Sequence, residues 1–157
     1  MRLAIVDDLA LGKAVKENGF AQRGVRGPGL VSVRWAKGAL GVVNNLTKNF
    51  FALMRFQWPI SVGAIVGAAF VGLGPLFGLI FASGAAKYCF AFAFFANALI
   101  YLRMQYFTRV SPIYFLTHPL ACLLVIYTMA RSTAVTLWHG GVTWRGTKYD
   151  LDELRAK

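Results

Sequence analysis

From Trp58 to Ala86 the chain reads WPISVGAIVGAAFVGLGPLFGLIFASGAA, without one charged side chain. A helix of about 20 apolar residues is long enough to cross the hydrocarbon core of a bilayer. Apolar and polar residues do not alternate here as they would in a barrel strand, so a helix is the conformation that satisfies the backbone in lipid. Residues 59–83 are therefore predicted to span a membrane. Two further runs, 88–102 and 112–130, read the same way. The expected fold is mostly α, an integral membrane protein with about three transmembrane helices.

Inside the first run, Gly63 and Gly67 form a small-xxx-small pair that would let another helix approach closely. Gly74-Pro75 is expected to kink it, because proline removes a backbone hydrogen bond. Ser83-Gly84 and Lys87 mark the hairpin into the second run, and Arg103 and Arg109 bracket the next loop. His118-Pro119 falls within the third run. A histidine at membrane depth is a candidate for function, although near a helix end it can simply meet the interface. Cys89 and Cys122 both lie in apolar runs and act most simply as small hydrophobes.

Upstream, residues 38–58 repeat Ala39, Val43, Leu46, Phe50, Leu53 and Met54 at steps of three and four, with Asn45, Lys48 and Arg55 on the other face. That is the pattern of an amphipathic helix lying in the membrane interface. Earlier still, residues 3–6 read as a short buried strand stopped by Asp7-Asp8. Residues 9–18 read as a helix capped by Asp7 or Asp8 and ended by Gly19. Residues 20–23 and 30–34 are candidate strands around the turn-rich residues 26–29. About 35 residues cannot bury a useful core, so this layer is expected to be the end of a larger α/β domain. Met1 leads into residues 2–6 and a carboxylate pair rather than an apolar signal region, and insertion is expected to rely on the internal spans.

Across 157 residues, 57% hydrophobic, 17 Lys+Arg stand against 6 Asp+Glu, a net charge of +11. The cations gather before the first span and after the last. Anionic headgroups explain that better than nucleic acid, because the aromatic platforms of a single-strand binder are not interleaved with them. No cysteine or histidine spacing suggests a metal site. Few ionisable groups besides Lys87 and His118 enter the spans, which argues against a transporter or channel. Topology stays open. The positive-inside rule puts Lys37, Lys48, Arg55, Arg103 and Arg109 in the cytoplasm. Three spans would then export a tail holding Arg145, Lys148, Arg155 and Lys157, unless the third segment is re-entrant or bent back.

Three local patterns carry chemistry. Asp7-Asp8 follows a strand and opens a helix, where a carboxylate can face a cleft or simply cap. Arg34-Trp35 sets a guanidinium, suited to bidentate phosphate contacts, beside an indole; a snorkelling anchor has the same composition. Residues 141–149 are aromatic and basic after the last span, as an interfacial belt would be.

Taken in order, these patterns resemble the C-terminal part of a membrane-bound family 2 glycosyltransferase, of the branch that includes ceramide glucosyltransferases and bacterial lipid glycosyltransferases. The resemblance runs through Val6-Asp7-Asp8-Leu9-Ala10-Leu11-Gly12, Lys16, Gly19, Val31-Ser32-Val33-Arg34-Trp35 and Lys48-Asn49. It resumes at His118-Pro119-Leu120 and Thr143-Trp144-Arg145-Gly146-Thr147-Lys148-Tyr149. It implies a GT-A type α/β catalytic domain, of which residues 1–37 would be the C-terminal remnant. The interfacial helix (38–58), the transmembrane block (59–138) and a basic tail (139–157) would follow.

Asp8 then takes the place of the general base, and Asp7 stands where glutamate is usual. Arg34 and Trp35 match the element that holds the donor diphosphate and shapes the acceptor site. Val31 stands where Gln or Arg is common, which removes one polar contact. The implied reaction is an inverting transfer of a sugar from a nucleotide-sugar donor to a lipid acceptor, with a divalent metal, Mg or Mn, in the complete enzyme and none bound by this chain. The implied location is the bacterial cytoplasmic membrane, with the N-terminal segment in the cytoplasm. The nucleotide-binding half, with its Asp-x-Asp motif, is expected upstream or on a separate partner. Asp150-Leu151-Asp152 repeats that spelling only in the tail, where Asp150 and Glu153 are spaced as a helix-capping pair. Without the other half, the chain is expected to be inactive alone. The competing reading is a non-enzymatic membrane anchor or scaffold for a partner.

Overall fold

The computed structural model describes residues 7–23, 34–144 and 147–155. The expected strand at 3–6, the turn at 26–29, Val31 and most of the strand at 30–34 lie outside the described residues. Six α-helices, one 3-10 turn and one two-stranded sheet are present among the described residues. In order they are α1 (Asp7–Glu17), α2 (Gly38–Leu53), α3 (Trp58–Phe81), α4 (Gly84–Thr108), the 3-10 turn (Pro112–Thr117), α5 (His118–His139), β1 (Gly141–Trp144), β2 (Thr147–Asp150) and α6 (Leu151–Arg155). The chain divides into two compact units, one built from residues up to Ser61 together with those from Thr128 onward, the other from Val62–Tyr127.

Three helical segments, Trp58–Phe81, Gly84–Thr108 and Pro112–His139, are long and apolar enough to cross a membrane. Their outward surfaces agree with that. Phe70, Val71, Phe81 and Phe92 are 67–78% exposed, and a run of bare aromatic and aliphatic side chains this long is what lipid, not water, would cover. The protein is therefore a mostly helical, membrane-associated chain.

Within the second unit, close contact falls at glycines other than the expected pair. A Cβ on Gly63 or Gly67 would meet nothing within 4 Å, whereas one on Gly72 would lie 2.6 Å from Cys122 Sγ and one on Gly78 would strike the Phe90 ring. Gly78 thus allows α4 to return tightly against the end of α3. Pro75 stands buried inside α3, which continues past it. The 3-10 turn folds back on α4: Phe115 packs edge-on against Phe94 (5.0 Å) and Tyr101 (5.6 Å).

The first unit contains the only buried cluster of apolar residues found among those described: Phe51, Phe56, Val142 and Leu154. Its formation depends on where α2 stops. The sequence suggested a helix to residue 58, but α2 ends at Leu53, and Arg55 and Phe56 adopt left-handed backbone with φ of 52° and 56°. The Arg55 and Phe56 N–H groups donate back to the Ala52 and Phe51 carbonyls, closing a Schellman turn without glycine. Phe56 then meets Phe51 edge-on at 5.6 Å. Arg155 Nε donates to the Phe56 carbonyl (3.0 Å), so α6 secures a turn that the local sequence disfavours.

The expected basic tail is thus a folded element. β1 and β2 pair antiparallel from Gly141↔Asp150 to Trp144↔Thr147. Val142 and Leu154 enter the core, and the Leu151 N–H donates to the Gly140 carbonyl. On α5, Thr128, Ser132 and Thr136 are buried at steps of four. Ser132 Oγ accepts from the Phe51 N–H (2.9 Å) and donates to the Thr47 carbonyl, two groups one turn apart on α2. A Ser61–Thr133 hydroxyl bond ties the start of α3 to the last third of α5. Exposed Trp58 and Trp138 flank this end of the apolar helices, where interfacial indoles are favoured.

Candidate functional site

The structure places Asp7 and Asp8 in the first turn of α1 rather than ahead of it. That position suits carboxylates, since the helix N-terminus carries partial positive charge; their side chains lie outside what the structure describes. α1 ends as the sequence suggested. Gly19 has φ +76°, and the Gly19 and Phe20 N–H groups donate to the Lys16 and Val15 carbonyls. This closure uses Phe20 as the residue following a left-handed glycine. Residues 20–23 form no strand and are exposed, with the Gln22 side chain lying back against Gly12 of α1.

Arg34 and Trp35 precede α2, and both are exposed. The Trp35 carbonyl accepts from Asn45 Nδ2 (2.6 Å), which fastens the Arg-Trp element to the polar side of α2. The bonds described for α1 are local: Asn18 Nδ2 to the Ala14 carbonyl and an exposed Lys13–Glu17 pair. Among the described residues no bond joins α1 to Arg34 or Trp35.

Among the described residues no group of three His, Cys, Asp or Glu side chains could hold a metal ion. Asp150 ends β2 directly before α6 and lies 3.7 Å from Lys148 Nζ, both side chains exposed. The Asp-x-Asp spelling there belongs to a helix start and a surface pair.

A second polar constellation escaped the sequence reading. α2, the end of α5 and β1 enclose a cleft of ≈ 340 Å³ lined by the cations Lys48 and Arg131 and by the His139 imidazole. Arg131 is held in place, its Nη1 donating to Thr47 Oγ1 (2.7 Å) and Asn44 Oδ1 (3.3 Å). Ending the third apolar run at Ala130 hid this group. The continuing spacing of Thr128, Ser132 and Thr136 was the available signal that the helix ran on and turned a polar face inward.

In the second unit, Tyr101 Oη lies 3.1 Å from His118 Nδ1, and Cys122 Sγ lies 3.4 Å from His118 Nε2. His118 opens α5 with both ring nitrogens engaged. This accounts for an intramembrane histidine through local hydrogen bonding.

The chain matches no family model, no characterised protein and no solved structure. Function must be argued from its own residues.

Proposed function

We propose that this chain is the membrane-embedded C-terminal portion of an inverting glycosyltransferase that transfers a sugar from a nucleotide-sugar donor to a lipid acceptor. The ordered resemblance from Asp7-Asp8 through Arg34-Trp35 to residues 143–149 carries the reading. The fastening of Trp35 to α2, the helix that leads into three membrane-competent segments, supports it. A donor diphosphate held at Arg34 would stand beside a helix positioned at headgroup depth, where a lipid hydroxyl is found.

In this reading Asp8 accepts the acceptor hydroxyl's proton as the oxygen attacks the anomeric carbon from the face opposite the leaving nucleotide diphosphate. Arg34 offers charged N–H groups to the diphosphate oxygens, and Trp35 lends a flat apolar face to the acceptor. A divalent metal, where the complete enzyme holds one, would offset charge on the leaving diphosphate.

The test is product formation in membranes that also contain the nucleotide-binding half. Asp8→Asn should lower glycolipid product by roughly 10²–10⁴-fold, the range for loss of a general base, with insertion unchanged. Arg34→Ala should also lower it. Undiminished product in both variants would remove the catalytic assignment. The second reading, a non-enzymatic anchor, would then stand, and the open exposure of Arg34 and Trp35 is the observation that favours it.

A further inference from the structure

We infer that the cleft between α2, the end of α5 and β1 binds a phosphate group at the membrane surface. It would take a phosphomonoester or diphosphate. This goes beyond the proposed transfer reaction and does not depend on it.

Charge is the first reason. Lys48, Arg131 and His139 converge on the cleft with Thr47, Thr143 and Asn44, and none of its lining residues is Asp or Glu. The ion pairs found among the described residues, Lys13–Glu17 and Lys148–Asp150, involve neither Lys48 nor Arg131. The cleft therefore gathers a lysine and an arginine whose charge no ion pair among the described residues offsets.

Donor placement is the second. Arg131 uses Nη1 on Thr47 and Asn44, which fixes the guanidinium plane while its other N–H groups remain for a ligand. A planar fork held this way meets two oxygens of one phosphate at once. His139 Nδ1 donates to the Val135 carbonyl (2.8 Å). That bond requires the proton on Nδ1 and leaves Nε2 as the ring's other polar atom.

The end of α5 carries partial negative charge, which would weaken anion binding. Some of the carbonyls at this end are engaged, however. Val135 accepts from His139, Leu137 from the Gly140 N–H, and the Gly140 carbonyl beyond the helix from Leu151. Those three carbonyls are satisfied within the protein, whereas neither Lys48 nor Arg131 takes part in an ion pair among the described residues.

Depth is the third reason. Trp138, adjacent to His139, is 89% exposed, as suits a residue at the boundary of the hydrocarbon. A phosphate in the cleft would sit at headgroup level. It could come from a lipid or from a soluble phosphate compound, and the chemistry of recognition is shared.

The full chain, purified in a neutral detergent, would be offered phosphatidic acid against phosphatidylcholine, and separately inorganic pyrophosphate, with retained ligand read by native mass spectrometry. Wild-type protein should retain phosphatidic acid in preference to phosphatidylcholine, or retain pyrophosphate; the two arms tell a lipid source from a soluble one. Lys48→Gln should weaken retention about fivefold, the equivalent of about 1 kcal/mol for one cation near a membrane surface. Arg131→Gln should weaken it about tenfold or more, and Arg131→Lys should recover only part, because the fork is lost. Lys48 is exposed, so its variant guards against misfolding of the Arg131 variants. Lys87→Gln, in the other unit, is the control for general charge. Equal losses at Lys87 and Lys48, or no preference for either phosphate ligand, would overturn the assignment.

Discussion

Phe51→Ala should undock the C-terminal hairpin while leaving the membrane helices in place. Phe51 is fully buried, meets Phe56 edge-on at 5.6 Å and shares its core with Val142 and Leu154. Truncating a buried phenylalanine costs about 3–5 kcal/mol, and about 0.5–1.5 kcal/mol of that is the edge-to-face aromatic pair. β1 and β2 are only four residues each, and an isolated hairpin has little stability of its own in water. The loss therefore falls on docking. At 1.4 kcal/mol per factor of ten, the undocked fraction should rise from about 10²-fold to a few thousandfold. Hydrogen exchange of the detergent-purified protein reads this directly, because sub-global opening exposes amides in contiguous blocks. Amides of residues 141–150 should lose protection, while those of α3 and α4 keep theirs. Leu40→Ala, at a position 76% exposed on α2, should change nothing. Wild-type protection of residues 141–150 in Phe51→Ala, or a loss spread evenly over α3 and α4, would refute the proposed core.

Gly78→Ala should separate the start of α4 from the end of α3, because the added methyl meets the Phe90 ring. Overpacking of this kind costs about 1–3 kcal/mol, and Gly78→Ala with Phe90→Ala should recover part of the loss in thermal aggregation assays. Gly63→Ala, where space is open, is expected to be neutral. Arg55→Gly should raise the midpoint of thermal unfolding, since a left-handed L-residue costs about 1–2 kcal/mol that glycine avoids. A lower midpoint would mean that the Arg55 side chain contributes more than its backbone strain removes.

The apolar helices were legible because a charge-free length is sufficient evidence for a membrane-competent helix. The end of α2 was not. No glycine or proline marks residues 54–57, and the bond that secures the left-handed pair comes from Arg155, 99 residues away. The close approaches within the chain were hidden for a related reason: those at Gly72 and Gly78 depend on Cys122 and Phe90 from other helices, while the surface at Gly63 and Gly67 is open. Of the candidate site, the positions of Arg34 and Trp35 ahead of α2 could be read in advance. The Lys48–Arg131–His139 cleft could not, because its members lie on three elements. Charge counting also left the side of the tail open. The hairpin packs on the end of α2, and single-cysteine labelling at positions 48 and 148 from one side of the membrane tests whether the two share a face.

The docked hairpin also sets an order of events during synthesis. Phe51 and Phe56 are made early, yet Val142 and Leu154, which cover them, emerge only after the apolar segments have been translated. Contacts of such long sequence separation close late. Until then α2 ends in an uncovered aromatic pair, a surface that chaperones and proteases recognise when folding is incomplete. A nascent chain halted before Leu154 could place its helices in the bilayer and still display that pair. The last short helix can therefore cover that pair only once all three apolar segments have been made.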